Sequence, residues 1–172
     1  MKYRLGVIKL VYNGFMEATN SKNNGEKIFN KQQTKYFIKL FTNDFIAKYL
    51  AKNKNLVVVF EGELGAGKTQ IIKWIAKNLG IKEIIQSPTF ALWKGYKFKI
   101  KNKEFFMNHI DLYRLNNPKD IFKLGLRKNL KEPNNVFFIE WGEKIKKFLS
   151  APFVGFKISI EKNNKRKIII NG

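Results

Sequence analysis

The sequence predicts an α/β domain with a mixed sheet: a parallel core and antiparallel hairpins. Three observations point there. Two continuous apolar runs, residues 56–60 and 136–139, suit strands buried on both faces. Two later stretches alternate apolar and polar residues and come as turn-linked pairs. Between them lie segments whose apolar residues recur every three or four positions, as on one face of a helix.

Residues 1–30 read as an N-terminal extension and residues 31–172 as the domain. Residues 5–12 have a strand-like composition, and residues 20–25 (Asn-Ser-Lys-Asn-Asn-Gly) are turn-rich and read as a linker. Phe37, Ile38, Phe41, Phe45, Ile46, Tyr49 and Leu50 make one helical stripe, with Thr34 placed as its N-cap. The strand at 56–60 follows, then a glycine loop. Ile71, Ile72, Ile75 and Leu79 mark a second helix, which Gly80 is positioned to end. Residues 83–86 read as a short strand stopping at Ser87-Pro88. Tyr96, Phe98 and Ile100 alternate with lysines, and Asn102-Lys103 turns that strand into another over 105–111. Asn117-Pro118 reads as a cap and first residue of a short helix closed by Leu124-Gly125. After the strand at 136–139, residues 143–149 read as helical. Val154, Phe156, Ile158 and Ile160 then alternate, and Asn163-Asn164 turns into a last strand over 166–170.

Composition narrows the chemistry. The 172 residues are 44% hydrophobic and 27% charged, which is globular rather than disordered composition. Without cysteine there is no disulfide framework, thiolate site or cysteine nucleophile. A single histidine, His109, excludes a histidine-rich zinc site. The net charge is +21, from 34 basic and 13 acidic residues, and such a chain attracts polyanions. Only Arg4, Arg114, Arg127 and Arg166 are arginines, although arginine is the better residue for base readout. The lysines sit among many Asn, Ile and Phe, all residues with AT-rich codons. A solvated face shaped by compositional drift therefore competes with a nucleic-acid face. No apolar run approaches the ~18 residues of a membrane span, and no cleavable leader is evident, so the expected location is the cytoplasm.

The chemistry lies in residues 62–69, Gly-Glu-Leu-Gly-Ala-Gly-Lys-Thr, which match G-x-x-x-x-G-K-[ST] between a strand and a helix. The glycines let the backbone curl so that N–H groups face a phosphate. The helix N-terminus adds its dipole. Lys68 brings a point charge to the outer phosphates, and the Thr69 hydroxyl is a Mg²⁺ ligand. A further carboxylate is needed near the metal. Asp111 and Glu140 both end apolar strands, and either can serve the metal while the other orients water. Thr89, in Ser-Pro-Thr-Phe at 87–90, stands where switch proteins carry a γ-phosphate-sensing threonine.

Taken in order, residues 62–69, Ser-Pro-Thr-Phe at 87–90, His-Ile-Asp-Leu-Tyr-Arg-Leu at 109–115 and Ile-Glu-Trp-Gly-Glu-Lys at 139–144 resemble the TsaE family. That resemblance spans about residues 34–166. It implies a small single-domain P-loop ATPase, binding ATP and Mg²⁺, that supports formation of N6-threonylcarbamoyladenosine in tRNA. Its partners would be TsaD and TsaB, with tRNA met indirectly through them. By motif position, Leu64, Gly65, Ala66, Gly67, Lys68 and Thr69 would hold the nucleotide phosphates. Thr69 and Glu140 would bind Mg²⁺, and Asp111 would act on the water or behind the metal ligands. Thr89 would be switch-like, and Trp141 would lie beside the site. Thr34 and Arg166 would fall near the nucleotide base. Gln70 departs from the family's usual Thr or Ser.

Two other functions compete. A P-loop kinase of a small molecule usually carries lid arginines, whereas residues 94–103 hold lysines and no arginine. A basic RNA-binding module would interleave aromatics and cations on one face. Strict alternation at 96–101 instead puts them on opposite faces.

Overall fold

The computed structural model describes residues 27–52, 54–117, 119–149 and 152–171. The strand expected at 5–12, the linker at 20–25 and Pro118 lie outside the described residues. Seven strands form one sheet: β1 (Lys27–Phe29), β2 (Leu56–Glu61), β3 (Trp93–Ile100), β4 (Lys103–Asp111), β5 (Asn135–Glu140), β6 (Phe153–Glu161) and β7 (Lys165–Asn171). Their spatial order is β1-β7-β6-β2-β5-β4-β3. The centre, β6-β2-β5-β4, is parallel, while β3–β4, β6–β7 and β1–β7 are antiparallel. This is the mixed sheet read from the apolar runs and paired alternations.

Both faces are covered, which explains why the central strands are apolar throughout. On one face, Leu56, Val58 and Phe60 of β2, Phe138 of β5 and Phe156 of β6 pack with Phe37, Phe41, Ile72 and Ile75 from the helices. On the other, Val57, Val59, Phe137 and Ile139 meet Ile121, Leu126 and Ile145. Each such side chain removed from water contributes about 1.5–3 kcal/mol. On β3, Tyr96 and Phe98 are buried and Lys97 and Lys99 exposed, so the alternating aromatics are core. The described segments contain no helix long and apolar enough to cross a membrane.

The first helical segment, α1 (Lys31–Leu40), continues through a wider π stretch, Phe41–Ile46, into a last turn, α2 (Ala47–Leu50). Its cap is Asn30, not Thr34. The Asn30 side chain accepts from Gln33 N–H and the Gln33 side chain accepts from Asn30 N–H, both at 2.9 Å. This reciprocal box outcompetes a threonine four residues later. Thr34 lies within the first turn, its hydroxyl donating to the Asn30 carbonyl. In the π stretch the buried Thr42 hydroxyl donates to the Ile38 carbonyl at 2.7 Å, competing with the backbone for that acceptor.

Other elements differ from expectation. Residues 83–86 form no strand: Ile81 and Ile85 are buried but Ile84 is 78% exposed, and β5 already pairs directly with β4 and β2. The segment instead runs outside the sheet as an irregular connection between α3 (Lys68–Asn78) and β3. The short helix begins at Asp120 (α4, Asp120–Lys123), with the Asn117 side chain accepting from Lys119 N–H. Gly125 ends it, and a further turn, α5 (Leu126–Asn129), follows. The helix read at 143–149 is two 3-10 turns, Gly142–Lys144 and Lys146–Phe148. Ile145, fully buried with φ −120°, breaks helical continuity to fill the core. β1 is too short to show a period, and it lies within the stretch assigned to the extension.

Asn30→Ala removes the reciprocal cap between β1 and α1. It is expected to lower unfolding stability by about 1 kcal/mol without changing the denaturant dependence, as measured by urea titration. An unchanged midpoint would show that the cap contributes nothing.

Candidate active site

The glycine loop leaves β2 and enters α3 (Lys68–Asn78). Gly62 has φ +143°, and a Cβ there would stand 2.2 Å from the Ile158 carbonyl oxygen, so only glycine fits against β6. Gly67, with φ +105°, is the residue from which α3 starts, and no acidic side chain lies in the helix's first turn. Four loop carbonyls are engaged. The Lys68 amine donates to Gly62 at 2.6 Å and Glu63 at 2.9 Å. Arg166 reaches back from β7, its Nε donating to Ala66 at 2.9 Å and a terminal nitrogen to Gly65 at 3.5 Å.

Lys68 is buried, and its amine lies 3.9 Å from the centre of the Trp141 ring. Burial lowers its pKa below the usual lysine value, opposed by the carboxylates of Glu140, Glu143, Asp111 and Glu63. Trp141 adopts the left-handed conformation (φ 60°, ψ 41°) directly after β5. Its ring centre lies 5.0 Å from that of Tyr113. Gly142 follows because a Cβ there would come within 2.5 Å of Val59 Cβ.

Parallel pairing sets Phe60 opposite Glu140, and Glu140 opposite Asp111. The two carboxylates and the loop therefore meet at one end of the sheet. The Thr69 hydroxyl donates to Glu140, 2.7 Å from Oε1 and 3.0 Å from Oε2. His109 Nε2 is 2.8 Å from the same Oε1. Asp111 Oδ2 accepts from the hydroxyls of Thr89, at 2.7 Å, and Ser87. Its Oδ1 accepts from Tyr113 N–H at 2.9 Å. Lys144 donates to the carbonyls of Leu112 and Tyr113 at 2.8 and 2.7 Å, holding the loop after Asp111.

At this end of the sheet lies a cavity of about 390 Å³ lined by residues that include Leu64, Lys68, Thr69, Thr89, Asp111, Tyr113, Glu140 and Trp141. Behind the loop lies a second cavity of about 300 Å³, lined by Lys31, Thr34, Gly65, Ala66, Gly67, Gln70, Ile71, Trp74, Asn164 and Arg166. The two share Gly65, Gly67 and Gln70, so both border the same loop. One has lysine, hydroxyls and carboxylates, suited to phosphates and a hard cation. The other has a flat aromatic wall, suited to a ring. Among the described residues no three His, Cys, Asp or Glu side chains cluster as a metal cage. The oxygen donors of Thr69, Glu140 and Asp111 fit Mg²⁺, which is usually bound by one or two carboxylates together with substrate phosphates.

The structure thus brings Leu64, Gly65, Gly67, Lys68, Thr69, Thr89, Asp111, Glu140 and Trp141 to one cavity, and Thr34, Ala66 and Arg166 to the other. Sequence reasoning missed Ser87, Lys144 and Trp74. Trp74 stood outside the apolar stripe of α3, four residues after Gln70, which places both on one side of that helix. Nothing local signals that Ser87 reaches Asp111 or that Lys144 reaches the loop after β4.

Comparison with known proteins finds relatives in sequence and in structure. The family model "Threonylcarbamoyl adenosine biosynthesis protein TsaE" matches residues 32–168. The chain is 36% identical over 137 residues to the tRNA threonylcarbamoyladenosine biosynthesis protein TsaE of Rickettsia prowazekii, covering 79% of this chain and 86% of that one. It is 35% identical over 114 residues to the protein of that name from Treponema pallidum, covering 66% and 80%. In structure it is similar to Bacillus subtilus YdiB, with a TM-score of 0.62, 25% identity and 87% of each chain covered.

Proposed function

The chain belongs to the TsaE family, and on that premise we propose that it hydrolyses ATP with Mg²⁺ as an accessory protein of tRNA N6-threonylcarbamoyladenosine biosynthesis. The observation that carries the ATPase reading is one cavity: the phosphate loop, Lys68, the Thr69–Glu140 pair and Asp111 all face it. In this reading the phosphates lie along the loop, with N–H groups and the dipole of α3 toward them. The base occupies the cavity of Thr34, Trp74 and Arg166. Lys68 leaves the Gly62 and Glu63 carbonyls for the outer phosphates. Mg²⁺, held by Thr69 and Glu140, neutralises phosphate charge when bound. Asp111 orients the attacking water, its own carboxylate fixed by Thr89, Ser87 and Tyr113 N–H. TsaD and TsaB are the proposed partners, with the transfer chemistry theirs and tRNA contacted mainly by them.

Turnover of ATP by the purified protein, alone and with TsaD and TsaB, tests this reading. Lys68→Ala is expected to lower turnover at least ~100-fold while the fold persists, since it removes one preorganised charge from the transferring phosphate. Normal turnover by the folded variant would end the assignment.

The two carboxylates separate by role. Glu140→Ala is expected to weaken Mg²⁺-dependent nucleotide binding, and Asp111→Ala to lower turnover more than affinity. A Mg²⁺ titration of both variants checks this. A shifted Mg²⁺ requirement in Asp111→Ala alone would reverse the assignment.

The basic surface gives a third expectation. A surface whose lysines are spread by drift binds tRNA only at low salt, because each neutralised phosphate releases counterions. At ~150 mM salt, without TsaD and TsaB, no preference for substrate tRNA over an unrelated RNA is expected in a competition assay. Micromolar binding that favours substrate tRNA would make the basic face functional.

A further inference from the structure

We infer that His109 is a positioning residue, the group that keeps the Glu140 carboxylate aimed toward the metal independently of the metal-ligating Thr69. The inference rests on the Mg²⁺-nucleotide reading above. His109 lies on β4, two residues before Asp111, and is fully buried. Parallel pairing sets it opposite Phe138, two residues before Glu140 on β5. Its Nε2 lies 2.8 Å from Glu140 Oε1. Its Nδ1 is buried and meets no hydrogen-bonding partner among the described residues.

That asymmetry assigns the ring's role. A proton on Nδ1 would be an orphaned donor in the core, whereas a proton on Nε2 has a carboxylate to accept it, so Nε2 is the donor. A residue serving only to fill this volume would be apolar, like Met107 on the same face of the strand. The imidazole leaves one nitrogen unsatisfied, and what it supplies in return is the contact with Glu140.

The need for that contact follows from the sharing at Oε1. Among the described residues, the Glu140 carboxylate has two partners, Thr69 and His109, and both reach Oε1. The Thr69 hydroxyl is also the metal-ligating group of the phosphate loop. A hydroxyl can bind a cation through a lone pair while its O–H still donates, so the Thr69 contact follows the metal, whereas His109 is the donor to Glu140 that is not itself a metal ligand. A carboxylate held at one oxygen by a rigid ring presents the other oxygen in a fixed direction. This is how a histidine–carboxylate contact behind a metal ligand raises metal affinity.

The test is equilibrium binding of a slowly hydrolysed fluorescent ATP analogue across a Mg²⁺ series, for wild type, His109→Leu and His109→Gln. The Leu variant is expected to need roughly 10–100-fold more Mg²⁺ for the same gain in nucleotide affinity. Its affinity without Mg²⁺ should be unchanged. The Gln variant, whose amide can stand in for Nε2–H, should recover most of the loss. If His109→Leu fails to fold, His109→Asn takes its place, polar but too short to reach Glu140, with the same rise expected. A wild-type Mg²⁺ requirement in the Leu or Asn variant would overturn the inference. So would an equal loss of affinity with and without Mg²⁺, or a Gln variant no better than Leu. A wild-type protein whose nucleotide affinity ignores Mg²⁺ would remove the premise itself, a result distinct from these.

Discussion

Everything in this site depends on the parallel pairing of β2, β5 and β4. Parallel strands end on the same side, so their register decides what meets there. Phe60 stands opposite Glu140 and Glu140 opposite Asp111. A slip of one residue on β5 would swap its faces, turning Glu140 away from Thr69 and putting Phe138 on the wrong layer. The register is held because both faces are buried: Val58, Phe60 and Phe138 belong to one layer, Val57, Val59 and Phe137 to the other. The carboxylates are thus placed by apolar packing that begins at the residue before each, Ile110 and Ile139.

The electrostatics at this end of the sheet oppose those of the whole chain. The protein carries a net charge of +21, yet Lys68 faces Glu140, Glu143, Asp111 and Glu63. Those carboxylates favour the charged amine while burial disfavours it, and burial is the stronger effect. The amine therefore leans on what is close, two loop carbonyls and the face of Trp141. This ties the Trp141 backbone to function. Its left-handed conformation costs on the order of 1 kcal/mol, and it turns the chain at the end of β5, where the ring meets both Lys68 and Tyr113.

Much of this was legible in the sequence because it is local. The eight-residue phosphate loop, the apolar runs of β2 and β5 and the acidic residue ending each of β4 and β5 need no tertiary information. What was not legible depends on register or on distant contacts. Arg166 reads as a residue of a strand, and only the placement of β7 beside β6 brings it to the carbonyls of residues 65 and 66. Ser87 reaches Asp111 from an irregular connection, 24 residues away in the chain, that no local pattern places. A three-residue strand such as β1 has no period to detect. Thr34 was a plausible cap by type, but Asn30 with Gln33 forms the reciprocal pair, and two mutual bonds outweigh one.

The resting contacts also constrain how the site would accept a nucleotide. The Lys68 amine is bonded to the Gly62 and Glu63 carbonyls, and the Thr69 hydroxyl to Glu140. A phosphate would draw Lys68 from the Gly62 and Glu63 carbonyls, and a cation can bind a Thr69 lone pair while its O–H still donates to Glu140. The contacts of Arg166 with the Gly65 and Ala66 carbonyls, and those of Lys144 with the loop after Asp111, involve neither residue and can persist. Arg166 thus holds the phosphate loop, and Lys144 the loop after Asp111, through contacts that need not change. In the proposed binding the reorganisation would be confined to two adjacent side chains at the start of α3, which would keep its conformational entropy cost small.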